Sequence, residues 1–114
     1  MKRIIAFLKP NMLDDVIFAL HRIEDFPGAT VSEVRDIGRG AHHHVGGAPQ
    51  RRRAFGFPVT TRLEIICAAD RTEEIVSTIA SEAHTGLPDD GEIVICSVEY
   101  VLPICAGEHK EEPV

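Results

Sequence analysis

The sequence predicts an α+β domain of ferredoxin-like type, a βαββαβ sandwich with a long loop between strands two and three. Three features support this fold class: short apolar runs typical of strands, two segments with apolar residues at helical spacing, and a stretch rich in glycine and proline over residues 38–57. A chain of 114 residues suits one domain, and a hydrophobic content of 44% is enough to bury a core.

The first half of the chain indicates strand, helix, strand. Residues 2–8 are rich in Ile, Phe and Leu, as in a buried strand. We expect Asn11 to cap a helix that continues to Glu24, since Asn is favoured at this position. Pro27 is expected to end that helix, and residues 29–36 to form the second strand.

The second half repeats the pattern as strand, helix, strand. Residues 59–68 are predicted to form the third strand, and residues 71–83 a helix that Thr72 can cap. The fourth strand is expected to run from Glu92 to about Leu102. The two helices would cover one face of the sheet.

The other face of the predicted sheet has no helix to cover it. The fourth strand is apolar on both sides over residues 93–98, which is unusual for a sheet face left in water. We therefore expect the open face to meet another subunit, so that the protein is an oligomer.

The overall charge and the cysteines exclude several classes of protein. A net charge of −6 argues against non-specific nucleic-acid binding, and no apolar run is long enough to span a membrane. Cys67, Cys96 and Cys105 are an odd number with no CxxC pair, which favours reduced thiols in a cytoplasm. The order and spacing of the residues suggest no catalytic site and no Walker motif, so we do not expect an enzyme.

The predicted loop over residues 38–57 is unusually long for a small domain, and such loops are often functional. His42, His43 and His44 could bind Zn or Cu, in particular if several subunits donate nitrogens, or they could belong to a solvated or partner-contacting loop. The run Arg51, Arg52 and Arg53 could contact phosphate, contact an acidic partner, or simply be solvated.

Several short segments occur in an order and spacing that resemble one known family. They are residues 1–10, 13–16, 19–20, 30–34, 38–39, 63–66, 85–86 and 90–93. Together they resemble the PII signal-transduction superfamily across residues 1–108. The chain is thus expected to be a divergent PII-like domain over 1–108, with a polar C-terminal tail over 109–114.

The resemblance implies a cytoplasmic homotrimer whose sheets line a central core and whose ligand clefts lie between subunits. Each cleft would hold an adenine nucleotide, and the 38–57 loop would contact a partner such as a membrane transporter or an enzyme. The positions that match the family's nucleotide site are Thr30, Gly38, Arg39, Glu64, Ile66, Asp90 and Gly91.

Departures from the family pattern concern the phosphates. Glu92, Pro103 and Cys105 stand where the resemblance leads us to expect cations, so charge-assisted bonds to a triphosphate are lost. The backbone N–H groups of Asp90 and Gly91, with that of Gly38, are expected to hold a phosphate instead. ADP or AMP is therefore a more suitable ligand than ATP.

Two other departures concern regulation. The loop lacks the tyrosine that is usually modified, since Tyr100 lies in the predicted fourth strand, and Thr60 and Thr61 occupy the region of the lysine that helps to bind 2-oxoglutarate. The sequence thus predicts a PII-like regulator that senses an adenylate and acts on a transporter through its loop. Regulation of inorganic-carbon or other anion uptake is one form of this hypothesis. The alternative is a metal-binding PII-like protein linked to heavy-metal efflux, with His42–His44 as the sensor.

Overall fold

The computed structural model describes residues 1–37 and 57–105, and these form one antiparallel sheet packed against two helices. The elements in chain order are β1 (Lys2–Leu8), α1 (Leu13–His21), β2 (Thr30–Arg35), β3 (Val59–Cys67), α2 (Thr72–Ala83) and β4 (Gly91–Ser97). This order confirms the predicted α+β, ferredoxin-like arrangement.

The strands follow the order β2-β3-β1-β4, and every neighbouring pair is antiparallel. β1 is central and has β3 and β4 on its two sides, with Ile4 opposite Ile65 on one side and Ile95 on the other. Because side chains alternate along a strand, this register assigns each residue of the sheet to one of two faces.

The helix-covered face of the sheet contains the core. Ile4 and Leu8 of β1 pack there with Leu63 of β3, and all three are at most 2% exposed. Val16 of α1 and Ile79 of α2 complete the same cluster from the helices. The apolar stripes of both helices are therefore satisfied on this side of the sheet.

The opposite face of the sheet, called here the open face, has a different composition. It presents Ile5 of β1 and Val94 of β4, which are cross-strand partners, beside charged side chains of β1 and β3. Val94 is 40% exposed. Both described helices pack on the other face, so the predicted uncovered face is confirmed within residues 1–37 and 57–105.

The predicted helix caps are wrong. Asn11 lies inside a short 3-10 turn, Pro10–Met12, and α1 begins at Leu13 without a side-chain cap hydrogen bond. A second 3-10 turn, Ala69–Arg71, likewise precedes α2, so that Thr72 is its first residue and not its cap. In both places a backbone turn leads into the helix where we expected a polar side chain to do so.

Two predicted ends also change. α1 stops at His21 and not at Glu24, and the chain then turns with a left-handed backbone at Asp25, φ 56°. β4 ends at Ser97, so residues 98–102 lie outside the strand that we expected to include them. Of the helices in the described part of the chain, none is long and apolar enough to cross a membrane.

Candidate functional site

A cleft of about 660 Å³ lies at the end of the sheet where β1 and β2 finish and β3 and β4 begin. Its walls come from four stretches: residues 7–10, 34–37, 58–60, and 88–92 with the exception of Asp90. Ile37 and Pro58 line it, so the segment 38–56 leaves and rejoins the fold at the rim of this cleft.

Two hydrogen bonds fix that rim. The backbone N–H of Asp36 donates to the carbonyl of Pro58 at 3.1 Å, and the Arg35 guanidinium donates to the carbonyl of Phe57 at 2.8 Å. They join the last residues before the segment to the first residues after it. We call this pair of contacts the stem clasp, and it holds the two ends of the segment beside the cleft.

The turn over residues 85–90 is closed by the carboxylate of Asp90. Its Oδ2 accepts the backbone N–H groups of Thr85 at 2.7 Å and Gly86 at 3.1 Å, and its Oδ1 accepts the Thr85 hydroxyl. These bonds, with that of the Thr85 hydroxyl foremost, hold the pKa of Asp90 well below its ordinary value. Asp90 is therefore a charged brace for this wall of the cleft.

The backbone N–H of Asp90 has a partner inside the turn. Its N–H, which we expected to hold a phosphate, donates to the carbonyl of Leu87 at 3.2 Å. This donor is used inside the turn, because the turn must satisfy its own backbone groups.

Gly91 is required by its position. It has φ +119° and pairs with Leu8, and a Cβ at this residue would lie 1.8 Å from the carbonyl oxygen of Phe7. A side chain would thus collide with the backbone of β1, in a conformation that only glycine adopts readily. The missing side chain lets the start of β4 approach β1 at the cleft wall.

Lys9 joins the end of β1 to the same turn. Its Nζ lies 2.9 Å from Oδ1 of Asp89, 3.5 Å from Oδ1 of Asp90 and 3.3 Å from the Thr85 hydroxyl. The pKa of Lys9 is raised above its ordinary value, mainly by the hydrogen bond with Asp89. Lys9 is thus a cation whose charge is already shared with two carboxylates.

The described walls of the cleft carry more negative than positive charge. Lys9 and Arg35 contribute two positive charges and Asp36, Asp89 and Glu92 three negative ones, a balance of −1. Both cations also have partners within the chain.

Three predicted nucleotide-site residues lie elsewhere on the sheet. Thr30 and Glu64 are direct cross-strand partners, and Ile66 is opposite Arg3 on the same open face. Glu64 is paired with Arg62 at 3.0 Å and with Arg3 at 3.5 Å. None of the three lines the cleft.

The strand register gives the distance between Ile66 and the cleft wall. Ile66 is five residues along β3 from Thr61, which shares the row of Gly91, so the two rows are roughly 17 Å apart. One protomer therefore brings Gly91 to the cleft wall, with Asp90 in the turn beside it, and leaves Thr30, Glu64 and Ile66 on the open face.

The other predicted residues lie outside the described residues. They are Gly38, Arg39, His42, His43, His44, Arg51, Arg52 and Arg53. Within 1–37 and 57–105, no group of three or more His, Cys, Asp or Glu residues could hold a metal ion. The metal and partner-contact hypotheses remain predictions from the sequence.

Sequence reasoning missed Lys9, Arg35 and Asp89. Lys9 follows the predicted first strand, and Asp89 precedes the Asp90-Gly91 pair, but the sequence assigns neither of them a role in a site. Lys9 and Asp89 are eighty positions apart in the chain. The sequence offered two signals of this site: a lysine just after the first strand, and an Asp-Asp-Gly sequence typical of a turn. Only the fold shows that the two are close in space.

Comparison with known proteins places the chain in a family. The family described as "Nitrogen regulatory protein P-II" matches residues 1–108. The chain is 34% identical to nitrogen regulatory protein P-II of Pasteurella multocida and 35% identical to that of Nostoc punctiforme, each over 100% of both chains. It is 32% identical to nitrogen regulatory protein GlnK of Escherichia coli over 97% of each chain. The chain belongs to the P-II family.

Proposed function

We propose that this chain is a homotrimeric regulator that senses an adenine nucleotide, such as ADP or AMP, in clefts between its subunits. In this proposal it regulates a partner protein, a transporter, through residues 38–57. The observation that carries it is the position of the cleft, which lies beside the two joined ends of that segment. The regulatory names of the P-II relatives support the same class of function.

The open face supports assembly. Ile5 is only 8% exposed, but Val94 beside it is 40% exposed, so apolar surface extends to an edge strand. Arg3, Glu64 and Arg62 add a charged cluster on the same face. A neighbouring sheet would cover the apolar part and could contribute partners to the charged part.

Assembly would also complete the ligand site. By the register of β3, Ile66 is about 17 Å along the sheet from the row of Thr61, and Thr30 and Glu64 are about 10 Å from it. None of the three lines the cleft of its own protomer. In a closed ring, the open-face row of one subunit would stand beside the cleft of the next. A base could then bind the strand residues of one subunit while a phosphate binds beside the turn of the other.

The charge balance of the cleft walls supports a preference among adenine nucleotides. Each added phosphate brings more negative charge toward Asp36, Asp89 and Glu92. Coulomb repulsion rises in proportion to ligand charge, so ATP would be penalised most. This agrees with the sequence, in which Glu92, Pro103 and Cys105 stand where the family resemblance leads us to expect cations.

The signal would pass through the stem clasp. A ligand in the cleft would lie beside Arg35, Asp36 and Ile37, which are the last described residues before the segment. Binding would change the preferred arrangement of the segment only if the ligand has different affinities for two arrangements. Regulation of a partner would be the readout of that difference.

Calorimetric titration with AMP, ADP, ATP and cyclic AMP at one fixed salt concentration tests the ligand. We expect AMP or ADP to bind at least as tightly as ATP. Sedimentation of the same samples tests the assembly, with a trimer expected. A monomer at micromolar concentration, or ATP clearly bound the tightest, would contradict the respective part of the proposal.

The histidine run gives a second, metal-binding candidate that rests on the sequence alone. Titration with Zn and Cu of the parent and of a variant with His42, His43 and His44 replaced by Ala would test it. Binding should be lost in the variant and should weaken below about pH 6, because imidazole must be neutral to bind a metal. Equal metal binding by both proteins would exclude this site.

A further inference from the structure

Lys9 is the cation at the junction of the cleft and the 85–90 turn. Of its two carboxylate partners, Asp89 is the closer, at 2.9 Å, and Asp89 and Lys9 both line the cleft. The Lys9 side chain is 21% exposed and that of Asp89 is 40% exposed. An anionic ligand in the cleft would thus meet Lys9 only in competition with Asp89.

The two acidic residues of the turn have different tasks. Asp90 binds the backbone of Thr85 and Gly86 as well as Lys9, so its carboxylate holds the turn together. Asp89 lies on the cleft side of the turn, where its Oδ1 is 2.9 Å from Nζ of Lys9 and its side chain is 40% exposed. A ligand that enters the cleft can therefore reach this ion pair directly.

We propose that Asp89 is a specificity-determining residue: its carboxylate occupies Lys9 and so excludes polyphosphates from the cleft. This inference rests on the proposed function, since it concerns anions that enter the same cleft. The raised pKa of Lys9, caused first by Asp89, agrees with an occupied ammonium group. Removing the carboxylate would release Lys9 toward a ligand and also remove one repelling charge.

The ligand class follows from the charge arithmetic. A single phosphate group must displace one weak, partly exposed ion pair, which costs little. A polyphosphate brings several charges against Asp89 and, among the described walls of the cleft, gains the one cation that Asp89 releases. The parent cleft should therefore accept a monophosphate and reject a tripolyphosphate chain, whether or not a nucleoside is attached.

The test compares Asp89→Asn with Asp36→Asn, which removes the same charge from another wall of the same cleft. Inorganic tripolyphosphate, ATP and AMP are titrated by calorimetry at fixed salt into the parent and both variants. We expect Asp89→Asn to bind tripolyphosphate and ATP on the order of tenfold more tightly than the parent, and AMP by less than about threefold. Asp36→Asn should gain clearly less. Asp89→Gly, as a second variant, should show the same gain.

A double variant separates the release of Lys9 from a general loss of charge. In Lys9→Gln, adding Asp89→Asn should give no more than the small gain of Asp36→Asn, because no cation is left to release. Three results would each overturn the inference. They are an unchanged affinity for polyphosphates in Asp89→Asn, an equal increase in affinity in Asp36→Asn, and a full increase in affinity when Lys9 is also replaced.

The probes also keep the two proposals apart. Tripolyphosphate has no base, so its gain in Asp89→Asn would support the specificity role even if no adenine nucleotide binds. Tight AMP binding with no gain for polyphosphates would keep the proposed function and reject the role of Asp89.

Discussion

The two faces of the sheet differ most clearly along β3. Thr61, Leu63, Ile65 and Cys67 point toward the helices and are at most 3% exposed. Their neighbours Arg62, Glu64 and Ile66 point the other way and are only partly buried. β3 therefore contributes to a fully buried core on one side and to a partly exposed surface on the other.

This difference teaches which part of the fold is self-sufficient. The helix-covered face obtains its burial from α1 and α2 of the same chain. The open face combines apolar Ile5 and Val94 with the ion pairs of Glu64, a mixture typical of an interface rather than a core. Two predictions test this contrast, and a third concerns the cleft end of the sheet.

The largest effect is expected from Ile65→Ala, compared with Ile66→Ala as its matched control on the other face. Ile65 is 1% exposed, so its truncation leaves a cavity and should lower the free energy of unfolding by about 2–5 kcal/mol at any protein concentration. The loss in Ile66→Ala should be smaller in dilute protein and grow with concentration. Urea unfolding at two protein concentrations measures both. Equal losses that do not depend on concentration would remove the contrast.

The next effect concerns assembly. Val94→Arg places a charge on the open face, while Ile95→Arg places one on the adjacent, similarly exposed residue of the helix-covered face. We expect Val94→Arg to weaken association at least about tenfold, since an unpaired charge at an interface is costly. Ile95→Arg should leave the sedimentation profile unchanged. If both variants dissociate alike, or neither does, assembly does not use the open face as proposed.

The smallest effect is a pH dependence at the cleft end of the sheet. The lowered pKa of Asp90 means that its ion pair and hydrogen bonds stabilise the fold above its ordinary pKa, near 4, and that this stability is lost as the pH falls further. Asp90→Asn should lack this part of the acid dependence of the Tm, with Asp14→Asn, at an exposed position of α1, as control. If the Tm of Asp90→Asn and that of the parent depend on acid pH in the same way, Asp90 does not stabilise the turn as proposed.

Lys9 gives the opposite pH dependence of stability, at alkaline pH. Its raised pKa means that its contribution is present below its ordinary pKa, about 10.5, and is lost as the pH rises through the folded-state value. Both groups are therefore charged, and the turn fully braced, between about pH 4 and pH 10.

The sequence was sufficient for the order of elements because the core is built from local patterns. The alternation in β3 and the helical spacing of Ile75 and Ile79 in α2 both follow from short-range geometry. The uncovered face was predicted on the same basis, since two helices cannot cover two faces.

The ends of elements and the cleft depend on longer-range contacts. Asn11 and Thr72 are good capping residues by type, but a 3-10 turn before each helix replaces the cap. The apolar residues after Ser97 resemble a strand, yet apolar character alone does not supply a pairing partner. The Lys9–Asp89 pair needs β1 and β4 to be neighbours, and no local pattern encodes that.

The stem clasp has a consequence for protein engineering. The Arg35–Phe57 and Asp36–Pro58 bonds tie the described scaffold together on both sides of residues 38–56, so the two ends of that segment are held side by side. Each doubling in length of a flexible insert between such ends adds only about 0.6 kcal/mol of closure entropy. A segment of different length or recognition chemistry could therefore be grafted between Ile37 and Phe57, turning the domain into a carrier for new binding loops.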